Sequence, residues 1–265
     1  MIIETENDAA IREAVRAQFG AAAQSYVTSA SHAKGDDLRR LIELAAPNGS
    51  ERLLDIATGG GHTALAFAPL VSAVTAVDLT PKMLEAAAAH AVERGATNVT
   101  FALADAERLP YADASFDIVT ARIAPHHFAD PRKFIREAAR VLVPGGLFLL
   151  DDNMAPEDDE LDTFMNRFEK WRDPSHVRAY RPSQWRTWME ASGLRVVADD
   201  PLALKAYGFA DWTERMRLPA EQRDALEQWL LAAPKRCREY FRIEAIGDHI
   251  RSVSGTFAII GARKI

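Results

Sequence analysis

Cysteine is nearly missing from this chain. Cys237 is the one copy in 265 residues, which excludes an internal disulfide framework and any zinc site built on cysteine. Lysine is scarce: only residues 34, 82, 133, 170, 205, 235 and 264 are lysine among 32 basic residues, and with the abundance of alanine this reads as genome composition. No apolar run reaches the ~18 residues of a membrane span, and the first ten residues carry Glu4, Glu6 and Asp8 instead of a basic start and an apolar run, so no secretory signal is expected. Excess positive charge is lacking as well. The formal charge of −6 gives no electrostatic reason to expect a nucleic-acid or anionic-membrane partner. The expectation is a soluble cytoplasmic protein without internal repeats, whose oligomeric state the sequence leaves open.

What is present is an ordinary globular composition, 48 % hydrophobic and 26 % charged, with enough apolar material for a core. The length fits one decorated domain or two small ones. From residue 52 onward, short apolar or β-branched runs at 52–57, 73–78, 99–105, 116–122 and 147–152 alternate with helical stretches at 63–70, 81–94 and 131–141. That alternation predicts an α/β fold with a parallel sheet and crossover helices. Thr80 and Asp130 stand as N-caps, each followed by proline at the first helical position, and Gly95 and Pro144-Gly145-Gly146 supply stops. Further helices are predicted at 157–172 and 183–191, and a strand at 194–198. A long tract, 206–251, then precedes a last strand at 255–264. It is expected to hold helices near 211–216 and 220–232 and a strand at 241–246 turning at Gly247-Asp248. All five tryptophans (171, 185, 188, 212 and 229) follow residue 170 and are expected to pack the added helices.

The first run ends in Asp55-Ile56-Ala57-Thr58-Gly59-Gly60-Gly61-His62-Thr63-Ala64. Such a glycine turn lets backbone approach a ligand and opens onto a helix N-terminus; taken alone, Gly59-x-Gly61-x-x-Ala64 also fits a dinucleotide fingerprint. The acids sharpen the reading. Asp55 would point a carboxylate at the strand ends, unfavourable to a pyrophosphate and favourable to a cationic amino-acid moiety. Asp78 ends the second run, 19 residues after Gly59, at the spacing of a carboxylate that accepts from ribose hydroxyls. Asp105 ends the third, placed to accept from an exocyclic amine such as that of adenine. Three strand-end aspartates are hard to obtain from core packing alone.

These motifs, with Val77-Asp78-Leu79-Thr80, Ala104-Asp105-Ala106-Glu107-x-Leu109-Pro110, Ser115-Phe116-Asp117, Arg122-x-Ala124-x-His126-His127-Phe128-x-Asp130-Pro131 and Leu142-x-Pro144-Gly145-Gly146, resemble the class I S-adenosylmethionine-dependent methyltransferases. The ubiquinone/menaquinone-biosynthesis C-methyltransferase-like group is most similar. The resemblance spans about 52–194, with a weaker echo in 19–35, and implies a Rossmann-like, doubly wound sheet of seven strands in the order 3-2-1-4-5-7-6, the last antiparallel. It assigns Asp55, Gly59 and Gly61 to the methionine moiety, Asp78 and Leu79 to the ribose, Asp105 and Ala106 to adenine, and the backbone near Arg122 to the other flank, with Ala57 also counted among the cofactor-binding residues. Tyr26 would close over the cofactor from the N-terminal helix. The match departs from the commonest pattern at Leu103, where a glycine often precedes Ala-Asp-Ala.

Methyl transfer from a sulfonium needs alignment, exclusion of water and, for acidic nucleophiles, removal of a proton. Candidate bases are His126 and His127 after the fourth strand, at most one of which is expected to serve, and His176 in the insertion; the competing reading is loop stabilisation. Asp152 and Asn153 follow the fifth strand, and Asn153 and Arg178 are candidate substrate contacts, Arg178 orienting a substrate oxygen or closing a salt bridge within the insertion. No spacing suits a metal site.

The expected whole is one methyltransferase domain over 1–265, with N-terminal helices at 8–47 and helical cap insertions at 153–182 and 206–251. The expected function is methyl transfer from S-adenosylmethionine, with S-adenosylhomocysteine as product, to a small-molecule O-, C- or N-nucleophile. The alternatives are a cyclase or other non-methylating enzyme that retains the cofactor and a nicotinamide-dependent oxidoreductase.

Overall fold

The structure, a computed structural model, describes residues 6–27 and 35–265. The chain divides into two compact units, Met1–Asp152 with Arg186–Asp200 and Ile259–Ile265, and Asn153–Trp185 with Pro201–Ala258. The second takes in both predicted insertions, 153–182 and 206–251.

In the first unit the helices α1 (Glu6–Val27) and α2 (Asp36–Ala45) precede the sheet. Strands β1 (Arg52–Ile56), β2 (Ala73–Asp78), β3 (Val99–Leu103), β4 (Phe116–Arg122) and β5 (Leu142–Asn153) alternate with α3 (His62–Phe67), α4 (Pro81–Glu93) and α5 (Pro131–Val141). The four pairings among these strands are parallel. With β6 (Leu194–Asp199) and the end of β9 (His249–Lys264) they run β3-β2-β1-β4-β5-β9-β6, and β9 is antiparallel to β6. This is the expected seven-strand order. Crossover helices bury the inner strands of this parallel sheet, β4 almost throughout, while the edge strand β3 stays partly exposed.

Local chemistry explains the boundaries. Asp130 caps α5 by accepting from the amides of Arg132 and Lys133. Thr80 occupies the same position before α4, but its hydroxyl makes no capping bond and only its backbone carbonyl receives Met83 and Leu84. The Pro144-Gly145-Gly146 stop is a bulge and not the end of a helix. Leu142 already pairs with Phe116, the intervening residues are passed over, and register resumes at Ile118 and Leu147. Leu53, Phe67, Val74 and Leu149, all fully or almost fully buried, lie in one apolar cluster, each worth roughly 1.5–3 kcal/mol by removal from water.

The second unit holds α6 (Asp159–Arg172), β7 (Ala203–Gly208), α8 (Phe209–Arg215), α9 (Ala220–Leu231), α10 (Lys235–Tyr240), β8 (Glu244–Ile246) and the first part of β9; α7 (Pro182–Ala191) leads the chain back to the first. Its core gathers Phe164, Phe168, Trp212, Trp229 and Phe241. Strands β7 and β8 both pair with β9 and raise the count to nine. The sequence pattern predicts no strand at 203–208 and starts one at 241, whereas α10 runs to Tyr240 and β8 begins at Glu244. Lys205 and Ala206 are poor strand formers, and β7 exists because the long β9 offers it an edge.

Candidate functional site

In the parallel register Asp55 on β1 stands opposite Thr120 on β4, and Asp78 ends β2 opposite Leu103. The carboxyl ends of these strands open on a cleft of about 1030 Å³, counting the part open to solvent, at the place where open α/β sheets bind ligands. Asp55 is buried and accepts from Thr58 Oγ1 at 2.6 Å and Thr120 Oγ1 at 2.8 Å. Burial raises its pKa to about 6, against those hydrogen bonds. Asp78 grips the glycine turn: Oδ2 accepts from the Gly59 amide at 2.9 Å and Oδ1 from the Thr80 amide at 2.8 Å. Its carboxyl is likewise pushed up by burial, these amides opposing.

The turn has the backbone that approach to a ligand requires. Ala57, Gly59 and Gly61 have φ of 55°, 53° and 81°, and Ala57 and Gly59 line the cleft. Gly61 does not. A Cβ there would lie 3.2 Å from that of Ala87, so Gly61 lets α4 pack close behind the loop. Across the cleft Ile123, β-branched, holds φ of 53° with its amide donating to the Asp151 carbonyl at 2.7 Å, a strained conformation of the kind that clusters at ligand sites.

Leu79, Asp105, Ala106 and Arg122 also line the cleft. Asp105 is engaged on both oxygens: Oδ1 accepts from the Glu107 amide at 2.9 Å and Oδ2 lies 2.8 Å from Arg12 Nε. The buried Arg122 donates to Asp37 at 3.0 Å and lies 3.7 Å from Asp151, whose carboxyl is raised well above the usual range by burial and by Asp37. The side chain of Tyr26 lies outside the described residues. Arg12, Val15 and Phe19 of α1, with Thr58 and Phe128, also line the cleft and are not among the site residues expected from the sequence.

His126 and His127 share a 3-10 turn, Pro125–His127, and both are buried. His127 lines the cleft, its ring edge-on to Phe19 with centroids 4.8 Å apart. His126 stacks 4.1 Å from His127, and its Nδ1 lies 2.6 Å from Asp152 Oδ1. The remaining candidates belong to the second unit. His176, fully buried, bonds Asn166 Oδ1 through Nε2 at 3.1 Å. Arg178 donates to both oxygens of the buried Asp162 at 2.8 and 2.6 Å, the ion pair that competes with a substrate role. Asn153 is buried.

The methyltransferase-domain family profile matches residues 54–150, from β1 into β5. Over 225 residues the chain is 41 % identical to the uncharacterized methyltransferase YcgJ of Bacillus subtilis, covering 85 % of this chain and 88 % of that one. The chain belongs to the class I methyltransferase family. The crystal structure of Bacillus subtilis YcgJ matches this family member with a TM-score of 0.84 at 39 % identity, over 87 % of this chain and 99 % of that one. Similarity to the ubiquinone/menaquinone biosynthesis C-methyltransferase UbiE of Bdellovibrio bacteriovorus is 38 % over 110 residues, 41 % of this methyltransferase and 46 % of UbiE. The [4+2]-cyclase SpnF, at a TM-score of 0.56 and 24 % identity over 86 % of this chain and 79 % of that one, shares the fold.

Proposed function

We propose that the cleft binds S-adenosylmethionine and that the protein transfers its methyl group to a small organic acceptor in the cytoplasm, without a nucleic-acid or membrane partner. The observation that carries this reading is the sign of the cleft. Asp55, Asp78, Asp105 and Glu107 stand in its walls against Arg12 and Arg122. An excess of carboxylates suits a ligand with an α-amino group, ribose hydroxyls and an exocyclic amine, and repels a pyrophosphate. The Gly59 amide, which a dinucleotide phosphate would need, is already given to Asp78. The nicotinamide alternative loses its support there.

In this reading Asp55 faces the cationic amino group, with Ala57 and Gly59 offering backbone at the same end. Asp78, aimed by its two amides, keeps lone pairs for the ribose with Leu79 beside it. Asp105 and Ala106 meet the adenine, and the backbone at Arg122 and Ile123 closes the far flank. The bound cofactor supplies an electrophilic methyl group on a sulfonium.

The chain then has to present the nucleophile, keep water out and remove a proton. Val15, Phe19, Met83 and Phe128 give the cleft apolar wall. Asp152, when ionised, is acceptor-only, so the His126 nitrogen it holds, Nδ1, carries the hydrogen. We assign the base role for acceptors that must be deprotonated to His127, which lines the cleft, with His126 stacked on it and held by Asp152.

Titration calorimetry with S-adenosylhomocysteine tests the reading. Wild type is expected to bind one equivalent, and Asp78→Ala to lose at least tenfold in affinity; an unchanged affinity in that variant removes the main support.

A further inference from the structure

Helix α1 meets the first unit along one stripe. Asp8, Arg12, Val15 and Phe19 are spaced four, three and four residues apart and so lie on a single face. Each makes a contact or a wall. Asp8 lies 3.5 Å from Lys133 Nζ, Phe19 meets the ring of His127, and Arg12, Val15 and Phe19 line the cleft. The helix also packs along α4. Ala22 and Ala23 are its buried hydrophobic residues among those described, and neither carries more than a methyl group.

Arg12 is different in kind. Its Nε lies 2.8 Å from Asp105 Oδ2 and its Nη2 2.7 Å from Glu107 Oε2. One guanidinium thus reaches two carboxylates on the segment that follows β3, hydrogen-bonded to Glu107 and in ion-pair range of Asp105. The arginine side chain is 13 % exposed and that of Glu107 3 %, so the pair is largely withdrawn from water, where such contacts are strong and costly to break. Glu107 is fixed from the other side by the Asp130 amide at 2.9 Å.

We propose that Arg12 is a cofactor-positioning residue that latches α1 over the nucleoside end of the cleft and thereby sets how long the ligand stays. The proposal rests on the reading of the cleft as an S-adenosylmethionine site. Arg12 holds Asp105 in one orientation and presents a flat, charged wall where an adenine ring would lie, a surface on which aromatic rings stack favourably. Because this bridge ties α1 to the segment that carries Asp105, opening it frees the wall over the nucleoside end and lets the ligand leave. The latch should therefore act on dissociation more than on association.

The test follows S-adenosylhomocysteine dissociation by stopped flow and hydrogen exchange over residues 6–27 in the ligand-free protein, comparing wild type, Arg12→Gln and Arg12→Lys. The expected result is dissociation at least tenfold faster in Arg12→Gln, association changed less than threefold, and faster exchange over α1 without ligand. Arg12→Lys should fall between, since it keeps the charge but not the width of the guanidinium that spans both carboxylates. Wild-type dissociation in Arg12→Gln overturns the proposal, and so does unchanged α1 exchange. If wild type binds no S-adenosylhomocysteine, the cofactor reading fails instead, while the exchange comparison still decides whether Arg12 holds the helix.

Discussion

His126 Nδ1 lies 2.6 Å from Asp152 Oδ1, both side chains buried, linking the exits of the adjacent parallel strands β4 and β5. A carboxylate so placed fixes the ring and its tautomer in a way that an amide cannot. His126 in turn stacks on His127, so His127→Ala is expected to lower kcat for a deprotonated acceptor by roughly 10²–10⁴ and Asp152→Asn by less, while S-adenosylhomocysteine affinity in Asp152→Asn stays within about threefold. Steady-state kinetics beside calorimetry separates the two. Equal losses in kcat and affinity would mean that the pair only shapes the site.

Asp55 makes cofactor affinity depend on pH. An ionised carboxylate attracts an ammonium group, and burial raises the Asp55 pKa to about 6, so the free protein must lose this proton to bind well. The affinity for S-adenosylhomocysteine should rise with pH through about 6, weakening roughly tenfold between pH 7 and pH 5. The sign for stability is opposite: a carboxyl raised on folding favours the ligand-free fold at pH below its unfolded value, a contribution lost as pH rises through about 6. Asp78 and Glu107, also pushed up by burial, act in the same direction. Asp55→Asn should flatten the pH profile measured by calorimetry.

Gly61→Ala tests packing behind the loop. A φ of 81° and an approach of 3.2 Å to the Ala87 methyl carbon should cost about 1–3 kcal/mol, read as a lower urea midpoint. Since Gly61 is not on the cleft wall, affinity in the folded variant should change less than stability.

In the second unit, Asp162 accepts from Arg178, Arg181 and Asn166 while nearly excluded from solvent. Asp162→Ala leaves these donors without their buried partner and should cost about 3–5 kcal/mol. Arg178 is itself 38 % exposed, so Arg178→Ala should cost no more than about 1 kcal/mol. Chemical denaturation of the two variants measures the difference. A kcat loss in Arg178→Ala at unchanged stability would restore its role as a substrate contact.

The strand-end acids were legible because a parallel α/β sheet sends every strand in one direction, so Asp55 and Asp78 had to emerge on the same side. The caps and glycine turns punctuated that beat. Arg12 was not legible: its stripe begins with charges instead of apolar residues, and its partners lie more than ninety positions away. The His126 to Asp152 bond was half legible, since both residues follow predicted strands but their meeting depends on β4 and β5 being neighbours. Strand β7 was hidden because its pairing partner, the early part of β9, comes 44 to 54 residues later, Ala203 standing opposite Phe257 and Gly208 opposite Ser252.

The account turns on what the acid-lined cleft holds, and a crystal structure of the protein with S-adenosylhomocysteine tests that most directly. The account predicts the ribose hydroxyls on Asp78, the adenine amine at Asp105 beneath Arg12, and the amino group toward Asp55. A ligand bound elsewhere, or in this cleft with its adenine remote from Asp105, would contradict it.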